Sequence, residues 1–160
     1  MGASWKLTAP LSEKQSTVWS LMSKGQSAAS IAERLKTTRQ FVNQTKLAAE
    51  ARLSTTMLDV AQANHIHVTK LNPKEGILLG FHPGLEKRAI VTYSTTHGIK
   101  VWYWYDNPEE VTNEEFLKQT RTYLLDIAKE RGIEIRDAEG MHPAKLAHRV
   151  FMELIPELRT

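Results

Sequence analysis

From Gln26 up to Pro73 the chain contains neither glycine nor proline. Without the two strongest breakers of regular structure, a long element can run on through this stretch. Its apolar spacing selects helix: Val42, Thr45, Ala49, Leu53, Met57 and Val60 recur at steps of three and four, which places them on one helical face. One helix is therefore predicted to open after Thr37 and Thr38, whose hydroxyls are suited to cap it, and to run to about Asn64. Two shorter helices precede it. Ser12 stands before Glu13-Lys14-Gln15 in a capping-box arrangement, Val18, Leu21 and Met22 follow at helical spacing, and Gly25 is placed to end the helix in a left-handed conformation. Ser27 can cap the second helix, which carries Ala28, Ile31, Ala32 and Leu35 along one side.

From His65 the period changes to that of strands. Ile66-His67-Val68, Gly76 to Phe81, Arg88 to Tyr93 and Gly98 to Tyr105 are separated by turn-like Asn72-Pro73, His82-Pro83-Gly84 and Thr96-His97-Gly98, and read as an antiparallel sheet. Asp106-Asn107-Pro108 ends it. A helix opens at Thr112-Asn113-Glu114-Glu115, turns Phe116, Tyr123, Leu124 and Ile127 inward, and stops near Gly132. Ile133-Glu134-Ile135 is expected as a fifth strand, and Pro143 to Leu154 as a last helix with Leu146, Val150, Phe151 and Leu154 apolar. The expected fold class is α+β: an N-terminal all-α trihelical domain over residues 8–53, a connector helix over 54–64, and an antiparallel sheet with packed helices over 65–160.

The first two helices and the start of the third meet the needs of a helix-turn-helix, in which a supporting helix holds a second one whose free face enters the major groove of DNA. Ile31, Ala32 and Leu35 supply the packing face of the supporting helix, Lys36-Thr37-Thr38 the turn, and Val42, Thr45 and Ala49 the buried side of the reading helix. Arg39, Gln40, Asn43 and Gln44 are left outward, with Lys46 beside them. Asn and Gln pair bidentately with adenine and Arg with guanine, so the first four are the expected base contacts. Lys24, Lys36, Thr38, Lys46 and Arg52 are the expected phosphate contacts, which fix position without reading sequence. Charge agrees: nine basic residues up to Lys70 outnumber the acids Glu13, Glu33, Glu50 and Asp59, so this stretch carries +5 and the remainder −2 of a net +3.

The run Leu11-Ser12-Glu13-Lys14-Gln15, Val18, Gly25-Gln26-Ser27, Ser30-Ile31-Ala32-Glu33-Arg34-Leu35, Thr37-Thr38-Arg39 and Val42 resembles the helix-turn-helix of sigma factor region 4 and of LuxR-type regulators. With Ala49 further on, it resembles in particular the archaeal Tfx-type transcriptional regulators, over about a third of the chain from Thr8 to Leu53. Lys36 stands where many members have glycine, and Phe41 is bulkier than usual. The resemblance implies a transcriptional regulator that puts Arg39, Gln40, Asn43 and Gln44 at the bases.

The other features have plainer readings. His65 and His67 would share a strand face, with His82 and His97 in nearby turns, but no HExxH or other metal signature accompanies them, so no metal is assigned. In Val101-Trp102-Tyr103-Trp104-Tyr105, alternation sends Trp102 and Trp104 to one face; cover by the C-terminal helices, a ligand pocket, stacking on nucleic acid and a dimer interface are the alternatives. Asp106, Glu109 and Glu110 look like a turn and helix start, and Ser94-Thr95-Thr96-His97 lacks a visible third partner, so no catalysis and no cofactor are expected. The chain has no cysteine, no long apolar run and no secretory signal in Met1 to Pro10, which points to a cytoplasmic protein without a membrane partner.

The expectation is thus a sequence-specific binder of double-stranded DNA, dimeric because one reading helix makes few base contacts, with the C-terminal part dimerising, binding a small-molecule effector, or both. The stripe Leu53, Met57 and Val60 serves either a dimer contact or the sheet. The competing classes are a protein-binding adaptor, whose trihelical surface should expose aromatics or leucines, and a nucleic-acid enzyme with a catalytic C-terminal part.

Overall fold

A computed structural model describes residues 10–105 and 114–159, with the side chains of residues 114–117 excepted. The N-terminal stretch before Pro10, the Asp106-Asn107-Pro108 turn with Glu109 and Glu110, the Thr112-Asn113 helix start and the Phe116 side chain lie outside the described residues. The elements run α1 (Glu13–Ser23), α2 (Ala28–Arg34), α3 (Arg39–Ala63), β1 (His67–Asn72), β2 (Ile77–His82), β3 (Lys87–Ser94), β4 (Gly98–Tyr103), α4 (Glu114–Glu130) and α5 (Pro143–Leu154), with short 3-10 turns at Ala138–Gly140 and Pro156–Arg159. This is the expected α+β order of helices, antiparallel sheet and helices.

The caps are those written in the sequence. The Ser12 hydroxyl accepts from the Gln15 N–H while the Gln15 side chain accepts from the Ser12 N–H, completing the capping box of α1. Gly25, at φ +91°, ends that helix. Ser27 accepts from Ser30 N–H to open α2, and Thr38 from Phe41 N–H to open α3. At the close of α2 the N–H of Lys36 donates to the Glu33 carbonyl and that of Thr37 to the Ala32 carbonyl, and the turn holds Lys36 at φ +56°. A β-carbon in that left-handed region costs about 1 kcal/mol or more. Lys36→Gly is therefore expected to raise stability by about 0.5 kcal/mol, after the flexibility glycine adds to the unfolded chain is subtracted. A lower thermal midpoint for the variant would contradict this.

The sheet is a meander, β1-β2-β3-β4, antiparallel throughout. Both faces are covered, so β3 has six buried residues in a row and the two faces alternate along it. Leu78, Ala89, Val91 and Tyr93 face α3 and α1, packing with Leu11, Trp19, Ala49, Leu53, Met57 and Ala61. Ile77, Leu79, Ile90 and Trp104 face α4 and α5, packing with Tyr123, Leu124, Ile127, Leu146, Val150 and Phe151. A third cluster, Val18, Leu21, Ile31, Ala32 and Val42, fills the space between α1, α2 and α3. α3 contributes to two of the three clusters: its first turns complete the trihelical core and its later turns lie on the sheet. No helix among the described residues is long and apolar enough to cross a membrane.

Four readings need correction. Leu35 does not pack in the trihelical core; as the C-cap of α2 it is carried outward and is 38% exposed. No fifth strand forms at Ile133-Glu134-Ile135. The N–H of Ile133 closes the end of α4 on the Ala128 carbonyl, and Ile133 and Ile135 bury their side chains against the α4–α5 core without a strand partner. His65 is not in β1: it has φ +57° in the turn after α3, so it does not share a strand face with His67. The last strand stops at Tyr103, two residues short of the run read from the sequence. As for the apolar stripe of α3, Leu53 and Met57 are fully buried under the sheet and Val60 packs beside them, so packing on the sheet is the role it takes.

Candidate nucleic-acid interface

The exposed side of α3 begins at its free N-terminus. Thr38 uses its hydroxyl oxygen to accept the Phe41 N–H, which leaves the hydroxyl proton available to a phosphate oxygen. Arg39, Gln40, Asn43 and Gln44 are all exposed. At 100° per residue they span an arc of about 140° on the first two turns. Val42, Thr45 and Ala49 point the other way and are buried, and the Thr45 hydroxyl is turned back onto the Phe41 carbonyl at 2.8 Å. The four expected base-reading side chains are thus together on one surface.

The five expected phosphate contacts are more scattered. Lys36 and Thr38 are exposed at the turn that leads into α3. Lys46 is half-buried and lies 4.0 Å from Glu50, one turn along. Arg52 is exposed but thirteen residues beyond Arg39, about 20 Å along the axis. Lys24 is at the far end of α1, next to Ser23, whose hydroxyl donates to the Lys74 carbonyl in the β1–β2 turn. The opposite end of α1 brings up a cation that the sequence reading did not use: Lys14, with its ammonium 5.7 Å from the centre of the Phe41 ring. Lys14, Lys36, Leu35 and Phe41 line a cleft between α1 and the turn. The contact crosses between helices, so no spacing along the chain signals it.

Besides the packing of α3 on the sheet, α1 is tied to it by a buried junction around Arg131, just past the end of α4. Its guanidinium donates to the carbonyls of Glu75 (2.8 Å), Tyr93 (2.7 Å), Gly76 (3.4 Å) and Ile127 (3.3 Å), and its Nη1 is 3.6 Å from the Glu130 carboxylate. Its cation lies 5.4 Å from the Trp19 ring, and Trp19 meets Tyr93 edge-on at 4.9 Å while its indole N–H donates to the Pro73 carbonyl. Burial lowers the arginine pKa and the Glu130 carboxylate works against that shift. Trp19, Tyr93 and Arg131 therefore tie α1, β3 and α4 together. None was singled out from sequence, because an apolar residue on α1 and a basic residue ending a helix are unremarkable until the fold juxtaposes them.

The remaining candidates are placed as follows. Trp102 and Trp104 share the face covered by α5, with Trp102 5.8 Å from Phe151 and Trp104 stacked on His148 at 4.1 Å. The alternation read from the sequence holds there, Val101 and Tyr103 facing the α3 side. His82 accepts the Leu85 N–H and His97 bonds Asp126 at 2.8 Å. Among the described residues no three metal-ligating side chains converge. The Ser94 hydroxyl accepts from the Thr96 and His97 N–H groups and donates to Glu130, so its proton is directed to a carboxylate and not to the His97 ring. That bonding suits a tight β3–β4 turn better than a nucleophile. In comparison with known proteins, the chain matches no family, no curated protein and no solved structure.

Proposed function

We propose that this protein is a sequence-specific binder of double-stranded DNA and a transcriptional regulator of the Tfx-like helix-turn-helix kind, with α3 as the reading helix. The observation that carries this reading is the grouping of Arg39, Gln40, Asn43 and Gln44, all exposed, on the first two turns of a capped helix whose opposite side is buried in a trihelical core. Nothing in the trihelical core needs these four side chains, and their donor and acceptor patterns match base edges. The part beyond α3 serves regulation or dimerisation and not catalysis. A homodimer on a two-fold operator would double the base contacts, and its interface falls elsewhere than on Leu53 and Met57, which the sheet covers. The protein works in the cytoplasm.

A specific observation favours a second reading. Leu35 and Phe41 are each 38% exposed beside Lys14, the kind of apolar surface that a protein-binding adaptor would present.

The two separate in one experiment: selection of bound duplexes from a random pool at low and moderate salt, with wild type beside Arg39→Ala and Gln44→Ala. The expected result is an enriched motif, with each variant about 1–3 kcal/mol weaker and relaxed at one base pair. Arg52→Ala, by contrast, is expected to weaken all duplexes alike and to reduce the salt slope by about one. Absence of salt-dependent duplex binding would remove the first reading and leave the second.

A further inference from the structure

We propose that Leu47 is a further specificity-determining residue of this interface, one that reads a thymine by packing on its C5-methyl group in the major groove; the inference rests on α3 being the reading helix. Leu47 is 62% exposed, the most exposed large hydrophobic side chain among the described residues. Isolated exposed leucines are ordinary on protein surfaces, so exposure alone assigns nothing. Position does more. Leu47 follows Gln40 by seven residues, Asn43 by four and Gln44 by three. Helical geometry therefore places it within about 20° to 60° of those three side chains, one turn beyond Asn43 and Gln44 and two turns beyond Gln40. It lies opposite the buried Val42, Thr45 and Ala49, at the middle of the exposed face and not at its margin.

The chemistry of the groove narrows the role. Base edges there offer hydrogen-bond donors and acceptors that an aliphatic side chain cannot use; the one methyl group on the major-groove floor is that of thymine. An isobutyl side chain between amides that satisfy adenine edges has that group as its one complementary target. Small neighbours make the approach feasible. Ala48 and Ala51, both exposed, leave the side of Leu47 toward the helix C-terminus lightly covered. Lys46, the adjacent residue on the other side, is drawn toward Glu50.

The test uses the full chain and the duplex that it selects from the random pool. Each thymine of that duplex is replaced singly by deoxyuridine, which removes only the methyl, and affinity is measured for wild type, Leu47→Ala and Leu47→Met. The expected result is about fourfold weaker binding by wild type at one thymine of each half-site. Leu47→Ala should be indifferent to that replacement while keeping the preferences set by Arg39 and Gln44, and Leu47→Met should restore sensitivity. A selected motif in which no thymine responds, or a response that persists in Leu47→Ala, overturns the assignment while leaving DNA reading by α3 intact. A change in oligomeric state of Leu47→Ala without a change in base preference overturns it too. Failure to select any duplex would instead remove the DNA reading on which the assignment depends. Because Leu47 is exposed, the alanine variant should keep the wild-type thermal midpoint, which confirms that the folded protein is being compared.

Discussion

Arg131→Met is expected to lower the free energy of unfolding by about 3–5 kcal/mol, the cost of breaking a buried ion pair by removing one partner. The guanidinium serves the carbonyls of Glu75, Gly76, Tyr93 and Ile127 with no exposure of its side chain to solvent, and it faces the buried Glu130 carboxylate at 3.6 Å. Methionine of similar length would fill the volume but remove the guanidinium donors from those oxygens, of which the Gly76 carbonyl keeps the Tyr93 N–H, and leave Glu130 without its counter-charge. Urea unfolding followed by tryptophan fluorescence measures the loss. A change below about 1 kcal/mol would mean that water takes over the arginine's bonds and that the junction is not structural.

The second large effect is expected at Gly76, on the other side of the same junction. Its φ is +65°, and a β-carbon there would lie 2.9 Å from the Trp19 ring, 3.0 Å from the Arg131 guanidinium and 3.2 Å from the Tyr93 Cβ. Gly76→Ala combines left-handed backbone strain with overpacking, so a destabilisation of about 2–4 kcal/mol is expected. Because the two residues touch, the effects of Gly76→Ala and Arg131→Met should not add. The double variant should be less destabilised than the sum by at least about 0.5 kcal/mol, and simple additivity in a double-mutant cycle would refute the shared-site account.

The parts of this fold that local chemistry dictates were legible in the sequence. Ser12, Ser27 and Thr38 cap where capping residues must stand, Gly25 terminates α1, and the spacing from Val42 to Val60 marks α3 over its whole length. The four strands and α5 followed from period and turn residues, except that β1 starts after Ile66 and runs on past Val68 to Asn72. What failed were places where a tertiary contact outweighed a local pattern. Ile133-Glu134-Ile135 alternates like a strand, yet its two isoleucines found cover under α4 and α5 without hydrogen-bonding to a sheet edge. Leu35 has the helical spacing of a core residue, but the C-cap of α2 turns it out. For the candidate site, the outward amides and Arg39 were legible because helical phase alone separates them from Val42 and Ala49. Lys14 beside Phe41 was not, since that proximity depends on how α1 crosses α3. The Lys36 turn is intermediate: Lys36-Thr37-Thr38 was legible as a turn, but not that Lys36 would take the left-handed conformation that glycine accepts most easily.

Because α3 runs unbroken from Arg39 to Ala63, the reading face and the sheet are opposite ends of one stiff lever. The clamp on the sheet includes Leu53, and Asn43 lies about 15 Å up the axis from that residue. A tilt of about 10° at the clamp would carry the reading turns through about 2.5 Å, close to the ~3.4 Å that separates neighbouring base pairs. If α3 reads DNA as proposed, angular tolerance at the sheet is thereby converted into register on the duplex. On that proposal the side chains that set the angle of the pivot would matter to recognition even though they are buried under the sheet.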